Sequence, residues 1–317
     1  MRSKPSAVRG LTTLRLHLGL PKTATTTLQQ YFARSVPAYV GPGAPNLPAG
    51  FFGRYRAAFL QQEPEWWASR ESSRLREKLA ASCEQALARS SDGELTLSWE
   101  GALTPGLFVG SDFPEVGGHP PGSRWVRHLA ALVRAIAPKP VEIQVLLTVR
   151  RQPEWLASLY AQRSRRILGA SQEDFEDQLR RLLARDQLPI PLDFARTVSE
   201  LELLIPVRSV LVLPIESIST LGYRRALSAF LGVEEPSPDV FEEKLNQRRR
   251  DSVTWNLRDA DERLRDSHSF RVVSGSDAVG SEPCIVLTES LRQEILERVK
   301  DSNSRLTANS PLPLSGY

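Results

Sequence analysis

Four short apolar runs limit what this chain can fold into: Leu14–Leu18, Leu95–Trp99, Ile143–Val149 and Ser209–Leu213. Each has the length of a strand buried on both faces, and stretches of helical periodicity lie between them. Buried strands alternating with helices make a parallel sheet joined by crossover helices. The expected fold is therefore α/β, a three-layer sandwich with a central, mostly parallel sheet flanked by helices. The second run, LTLSW, is the least regular, because Thr96 and Ser98 are polar.

The helices carry clearer signals. QQYFARSV continues from Leu28 until Pro37, and Leu75, Leu79, Cys83 and Leu87 recur at every fourth residue within 72–91, with Gly93 beyond. Trp125, Leu129, Leu132, Val133 and Ile136 mark a helix opened by Ser123 and ended before Pro138. Trp155, Leu156, Leu159 and Tyr160 mark another, with Pro153 in its first turn. Ser290 and Gln293 read as a capping-box pair ahead of Ile295, Leu296 and Val299. Residues 37–66 and 101–123, rich in Pro, Gly and aromatics, read as irregular substrate-side insertions. No repeat or linker divides the chain, so a single domain over 1–317 is expected.

Composition narrows the partners. The 317 residues are 41% hydrophobic and 25% charged, the balance of an ordinary soluble protein. A net charge of +4 suits an anionic ligand but is too small for nucleic acid, and no basic stripe or aromatic platform accompanies it. Only six of the 41 basic residues are Lys. Arg grips phosphate bidentately, although a GC-rich coding sequence gives the same bias. Cys83 and Cys284 lack metal-ligand spacing and read as small buried hydrophobes of a reducing compartment. Neither a signal peptide nor a run of about 18 apolar residues is present, so a cytoplasmic protein without a transmembrane segment is expected.

The first run ends in Gly19-Leu20-Pro21-Lys22-Thr23-Ala24-Thr25-Thr26-Thr27, and a helix follows. A loop between a buried strand and a helix N-terminus offers unpaired backbone N–H groups and a positive dipole end to an anion. Lys22 adds a full charge, and Thr25, Thr26 and Thr27 add hydroxyls at the first turn. Gly19 lets the backbone turn closely, and Pro21 stiffens it. The order is not that of a Walker A loop: Ala24 stands where GxxxxGK[ST] needs glycine, and the Lys precedes that position. Should position 24 require a positive φ, Ala24 adds strain of about 1 kcal/mol.

The third run ends at Arg150, and Ser158 follows eight residues later inside the next helix. That places both near the C-terminal edge of the sheet, where ligands of open α/β sheets bind. Arg grips a phosphate bidentately, and Ser adds a further bond. Arg151, seven residues before Ser158, fits this arrangement less well.

The segment HLGLPKTATTTLQ, His17–Gln29, resembles the PKxGTT-type signature of sulfotransferases that use 3′-phosphoadenosine 5′-phosphosulfate (PAPS), in particular their bacterial and carbohydrate-type branch. The spacing of Arg150 and Ser158 is similar to the one with which that family holds the 3′-phosphate. The resemblance implies a P-loop-type sandwich, with PAPS as the co-substrate leaving as adenosine 3′,5′-bisphosphate. It assigns the loop residues Gly19, Pro21, Lys22, Thr23, Ala24, Thr25, Thr26 and Thr27 to the 5′-phosphosulfate, and Arg150 and Ser158 to the 3′-phosphate. The family more often has glycine where this chain has Ala24. A softer likeness covers VLVLPIESI and LSAFLGV, in which Glu216 is expected to hold a loop. LNQRRRDS, residues 245–252, lies where the family often completes its 3′-phosphate and adenine site. Arg248, Arg249 and Arg250 are candidates there, and a solvated basic face is the alternative.

The implied reaction is in-line sulfuryl transfer to the hydroxyl of a small-molecule or glycan acceptor, a carbohydrate or glycolipid, with Lys22 on the leaving phosphate oxygens. Two residues compete for the base, Glu100 directly after the second run and His119 in the second insertion. His17 is expected to support the loop, and His128 to lie in packing or at the surface. No HExxH or Cys/His cluster calls for a metal. Phe51, Phe52, Tyr55, Trp66 and Trp67 suit stacking on sugar rings and core packing equally. The alternatives are an inactive nucleotide-binding interaction protein and a P-loop kinase or NTPase. The second lacks both the GK[ST] order and an Asp at a strand end.

Overall fold

The computed structural model describes residues 8–45, 47, 51–100, 102–103, 107–108, 123–137, 141–242, 253–261, 271–273, 284–306 and 309–313. In chain order, β1 (Thr13–Gly19) leads into α1 (Thr25–Ser35), β2 (Tyr39–Val40), α2 (Gly53–Gln61), α3 (Ser73–Leu87) and β3 (Glu94–Ser98). Then come α4 (Ser123–Ile136), β4 (Glu142–Val149), α5 (Gln152–Arg163), β5 (Ile167–Leu168), α6 (Gln172–Leu183), α7 (Phe194–Leu204) and β6 (Val207–Pro214). The remainder holds α8 (Leu221–Leu231), α9 (Asp239–Glu242), β7 (Thr254–Asn256), β8 (Arg271–Val272), β9 (Cys284–Val286) and α10 (Glu289–Leu306).

All four apolar runs are strands of one five-stranded sheet, ordered β2-β3-β1-β4-β6 with every pairing parallel. The sheet is the middle layer of an α/β sandwich. The period-two alternation of each strand sorts its residues between two cores. Leu14, Leu16, Leu97, Val145, Leu147 and Val212 face one way, onto a core that includes residues of α3, α4, α5, α7 and α10. Leu146 and Leu213 face the other way, onto α1 and α8 through Leu28, Phe32, Tyr223 and Leu227. On this second face β1 and β3 carry His17 and Ser98, paired in register. That explains the polar character of LTLSW: Thr96 and Ser98 are buried and turned away from the larger core.

The strand order also locates a crevice. The chain leaves β1 toward β2 on one side and leaves the adjacent β4 toward β6 on the other. Connections that diverge from neighbouring strands open a cleft at their C-terminal ends. The loops after β1 and β4 flank that cleft, and the end of β3 adjoins it.

Three expectations need correction. Residues 37–66 are not irregular throughout, since they contain β2, α2 and the start of a 3-10 turn, Pro64–Ala68. Tertiary packing orders them: Tyr55, Phe59 and Trp67 are buried, Phe59 meets Trp99 at 4.7 Å between ring centroids, and Tyr55 stacks on Trp67 at 6.0 Å. Tyr55 and Trp67 are thus core residues, while Phe51, Phe52 and Trp66 are half-buried. The last helix is capped by Thr288, whose hydroxyl accepts from Leu291 N at 3.2 Å, and not by Ser290. Cys83 is buried as expected, but Cys284 is only half-buried, and neither forms a disulfide. Of the second insertion, 101–123, only residues 102, 103, 107, 108 and 123 are among those described.

His128 is a packing residue. Trp67 Nε1 donates to its Nδ1 at 3.0 Å, which leaves the proton on Nε2, 2.9 Å from the carbonyl of Gln62. Burial, helped by Arg124, lowers its pKa to about 4. Among the described residues no helix is long and apolar enough to cross a membrane.

Candidate functional site

The loop after β1 is shaped from below. Gly19 is needed for want of space: a Cβ there would sit 2.1 Å from Thr25 Cγ2 and 3.2 Å from Thr148 Oγ1. Thr23 is fully buried, its hydroxyl donating to Leu20 O at 2.6 Å and lying 3.0 Å from Thr148 Oγ1. Its backbone N–H also donates to Leu20 O, at 3.3 Å, so Thr23 holds the loop and does not face the cleft. Trp155 Nε1 donates to Pro21 O at 2.8 Å, tying the loop to α5. Beneath lies His17, fully buried, with Nδ1 2.8 Å from Ser98 Oγ and Nε2 3.3 Å from Thr148 Oγ1. Burial lowers its pKa to about 3, so the ring is neutral near pH 7 and supports the loop as expected.

Above these anchors the backbone takes an uncommon path. Lys22 has φ 70° and Ala24 φ 51°, both left-handed. Ala24 is the N-cap of α1 and offers no side-chain cap, so the first-turn amides are left to other acceptors. Thr25 and Thr27 are buried and Thr26 is exposed. The positive φ foreseen as a possibility at position 24 is real, and Ala tolerates it at a cost of about 1 kcal/mol. Ala24→Gly is therefore expected to stabilise the protein. The relief exceeds the added flexibility of the unfolded chain by roughly 0.5 kcal/mol. The midpoint of denaturant unfolding measures it, and a lower midpoint would show that the left-handed conformation costs nothing here.

Glu100 closes the cleft from the β3 side. Burial pushes its pKa above the usual carboxylate value, against the opposing effects of the Thr25 hydroxyl, the Lys22 charge and the Lys22 backbone amide. Glu100 thus touches the loop that carries Lys22, as its place after the second run led us to expect. On the β4 side, Arg150 Nη1 donates to Lys22 O at 3.3 Å. Ser158 is half-buried in α5, about 9 Å along the helix axis from Gln152. Glu216 does hold a loop: its Oε1 accepts from Arg151 N at 3.0 Å, where α5 begins. A carboxylate there also meets the positive end of the helix dipole.

A cavity of about 230 Å³ opens beside Glu100 and Pro21. Phe59 and Trp99 also line it, and its polar lining comes from Arg56, Gln162, Arg163, Arg165 and Arg166. None of these five was singled out from the sequence. A signal was present in QRSRR at the end of α5, but Arg56 comes from α2, and only the fold brings them together. His119, Arg248, Arg249 and Arg250 lie outside the described residues. Among the described residues no three His, Cys, Asp or Glu side chains gather to hold a metal ion. Compared with models of known protein families and with curated proteins, the chain matches none.

Proposed function

We propose that the protein is a PAPS-dependent sulfotransferase acting on the hydroxyl of a small-molecule or glycan acceptor, a carbohydrate or glycolipid. One observation carries the reading: Arg150 Nη1 meets the carbonyl of Lys22 at 3.3 Å across 128 residues of chain. Two motifs recognised separately thus flank one cleft at the diverging connections of the sheet. An uncapped helix start, a lysine and an arginine suit a nucleotide with phosphates at both ends.

In this reading the acceptor oxygen bonds to sulfur as the bond from sulfur to the bridging phosphate oxygen breaks. Glu100 takes the acceptor proton, and Lys22 offsets the charge left on adenosine 3′,5′-bisphosphate. A reducing, cytoplasmic setting is part of the proposal and agrees with two cysteines outside any disulfide.

The test is calorimetric binding of adenosine 3′,5′-bisphosphate and of adenosine 5′-monophosphate, with turnover of PAPS over an acceptor panel. Arg150→Ala should weaken the bisphosphate by roughly 10- to 100-fold, the size of a lost charge-assisted hydrogen bond. The monophosphate should change far less. Equal losses would remove the 3′-phosphate from Arg150. Magnesium-dependent ATP binding without bisphosphate binding would favour phosphoryl transfer instead.

A further inference from the structure

The cavity beside Glu100 has a charge pattern that the donor site does not use. Its lining includes neither Arg150 nor Ser158, and Pro21 is the residue through which the loop reaches it. Trp99 and Glu100 reach it from the end of β3, and Gln162, Arg163, Arg165 and Arg166 from the far end of α5. Four guanidinium groups converge on it, against one lining carboxylate, Glu100.

The four arginines come from different places. Arg56 projects from α2, Arg163 ends α5, and Arg165 and Arg166 belong to the 3-10 turn Ser164–Arg166. That turn is pinned: Ser164 Oγ donates to Ala161 O at 3.0 Å and accepts from Arg258 N at 2.7 Å. Arg163 also donates to the carbonyl of Leu107. Bringing like charges together opposes folding. Burial and the neighbouring arginines lower Arg163 to about 9 and Arg56 to about 10. A solvated basic face would not collect half-buried Arg56, Arg163 and Arg166 around one cavity.

Gln162 adds an amide side chain to the wall between the arginines of α5 and the turn that follows. Phe59 and Trp99 give the cavity apolar wall, and its volume is below the roughly 300–1,000 Å³ of drug-sized sites, which suits a ligand of about one sugar ring.

We infer that this cavity receives the acceptor, and that the acceptor is an acidic sugar residue. Its anionic group is gripped by Arg56, Arg163, Arg165 and Arg166, and the reacting hydroxyl faces Glu100. The assignment of this ligand as an acceptor rests on the sulfotransferase reading; the preference for an anionic sugar does not. A carboxylate, a sulfate ester and a phosphate ester share the required chemistry.

Calorimetry with glucuronate, glucose 6-sulfate, glucose 6-phosphate and glucose distinguishes them. At least one charged sugar should bind about tenfold or more tightly than glucose, and the tightest identifies the group. Arg56→Gln and Arg166→Gln should each reduce that preference about tenfold, Arg166→Lys should retain part of it, and added salt should weaken it. Arg165→Gln, at an exposed position, gives a variant whose folding is not in question, and it too should bind the charged sugar less tightly. Glucose binding as well as all three charged sugars would overturn the inference, as would unchanged binding in all three glutamine variants with native circular dichroism. Titrating adenosine 3′,5′-bisphosphate on the same protein separates the two claims. Bisphosphate binding without charged-sugar preference sinks the acidic acceptor alone. Charged-sugar preference without bisphosphate binding sinks the donor reading and the acceptor assignment with it, leaving an anionic-sugar site, and absence of both sinks both.

Discussion

Lys22→Ala is expected to remove sulfuryl transfer while leaving the fold in place. The backbone of Lys22, at φ 70°, is left-handed already, so alanine inherits the same strain and creates none. The contacts that shape the loop here are made by its backbone: the carbonyl of Lys22 accepts from Arg150, and its amide reaches Glu100. Both survive truncation of the side chain. What is lost is one positive charge beside the leaving phosphate, a group whose negative charge grows as the bond to sulfur breaks. Removing a single donor from such a site costs roughly 10²–10³ in kcat. The free energy of unfolding should stay within about 0.5 kcal/mol of the wild type, as for other substitutions at incompletely buried positions. Lys22→Arg, which keeps the charge but not the compact ammonium, should recover part of the rate. Turnover of PAPS by Lys22→Ala above a tenth of wild type would take Lys22 out of the reaction.

Glu100→Gln is expected to lower kcat by roughly 10²–10⁴, the range for a positioned general base. Glutamine keeps the shape, and its carbonyl still accepts from Thr25 and from the Lys22 amide, so the loop should keep its course. The pH profile adds a second readout. Burial raises the pKa of Glu100, and a base works only when ionised. The wild-type rate should therefore be full above that raised pKa and fall as the pH drops through it. The Glu100→Gln profile should lack this acid limb. A variant with the wild-type rate and profile would move the base elsewhere, with His119 the first residue to replace.

Much of the site was legible because its signals are local. The ends of β1 and β4, the loop between β1 and α1, and the start of α5 each follow from a run of apolar residues and the few positions after it. What was missed has non-local causes. β2 is a two-residue strand, too short to carry a period, and exists because Tyr39 and Val40 pair with β3. α2 looked irregular among its prolines and glycines. It is ordered by the rings of Trp67, Trp99 and His128, which come from three other segments. Thr23 looked like an anion ligand, but its side chain points down to Thr148, a residue 125 positions away.

The sequence by itself determined that strands alternate with helices, that a lysine-bearing loop opens α1, and that an arginine leaves a later strand. Periodicity, capping and residue order act over a few residues, and these properties can be read from them. Only the tertiary structure decided that Arg150 meets Lys22, that Ala24 adopts a left-handed conformation, and that Arg56 joins Arg163, Arg165 and Arg166 around one cavity. Those facts depend on the order β2-β3-β1-β4-β6, because strand order sets which loops become neighbours, and no local pattern encodes it.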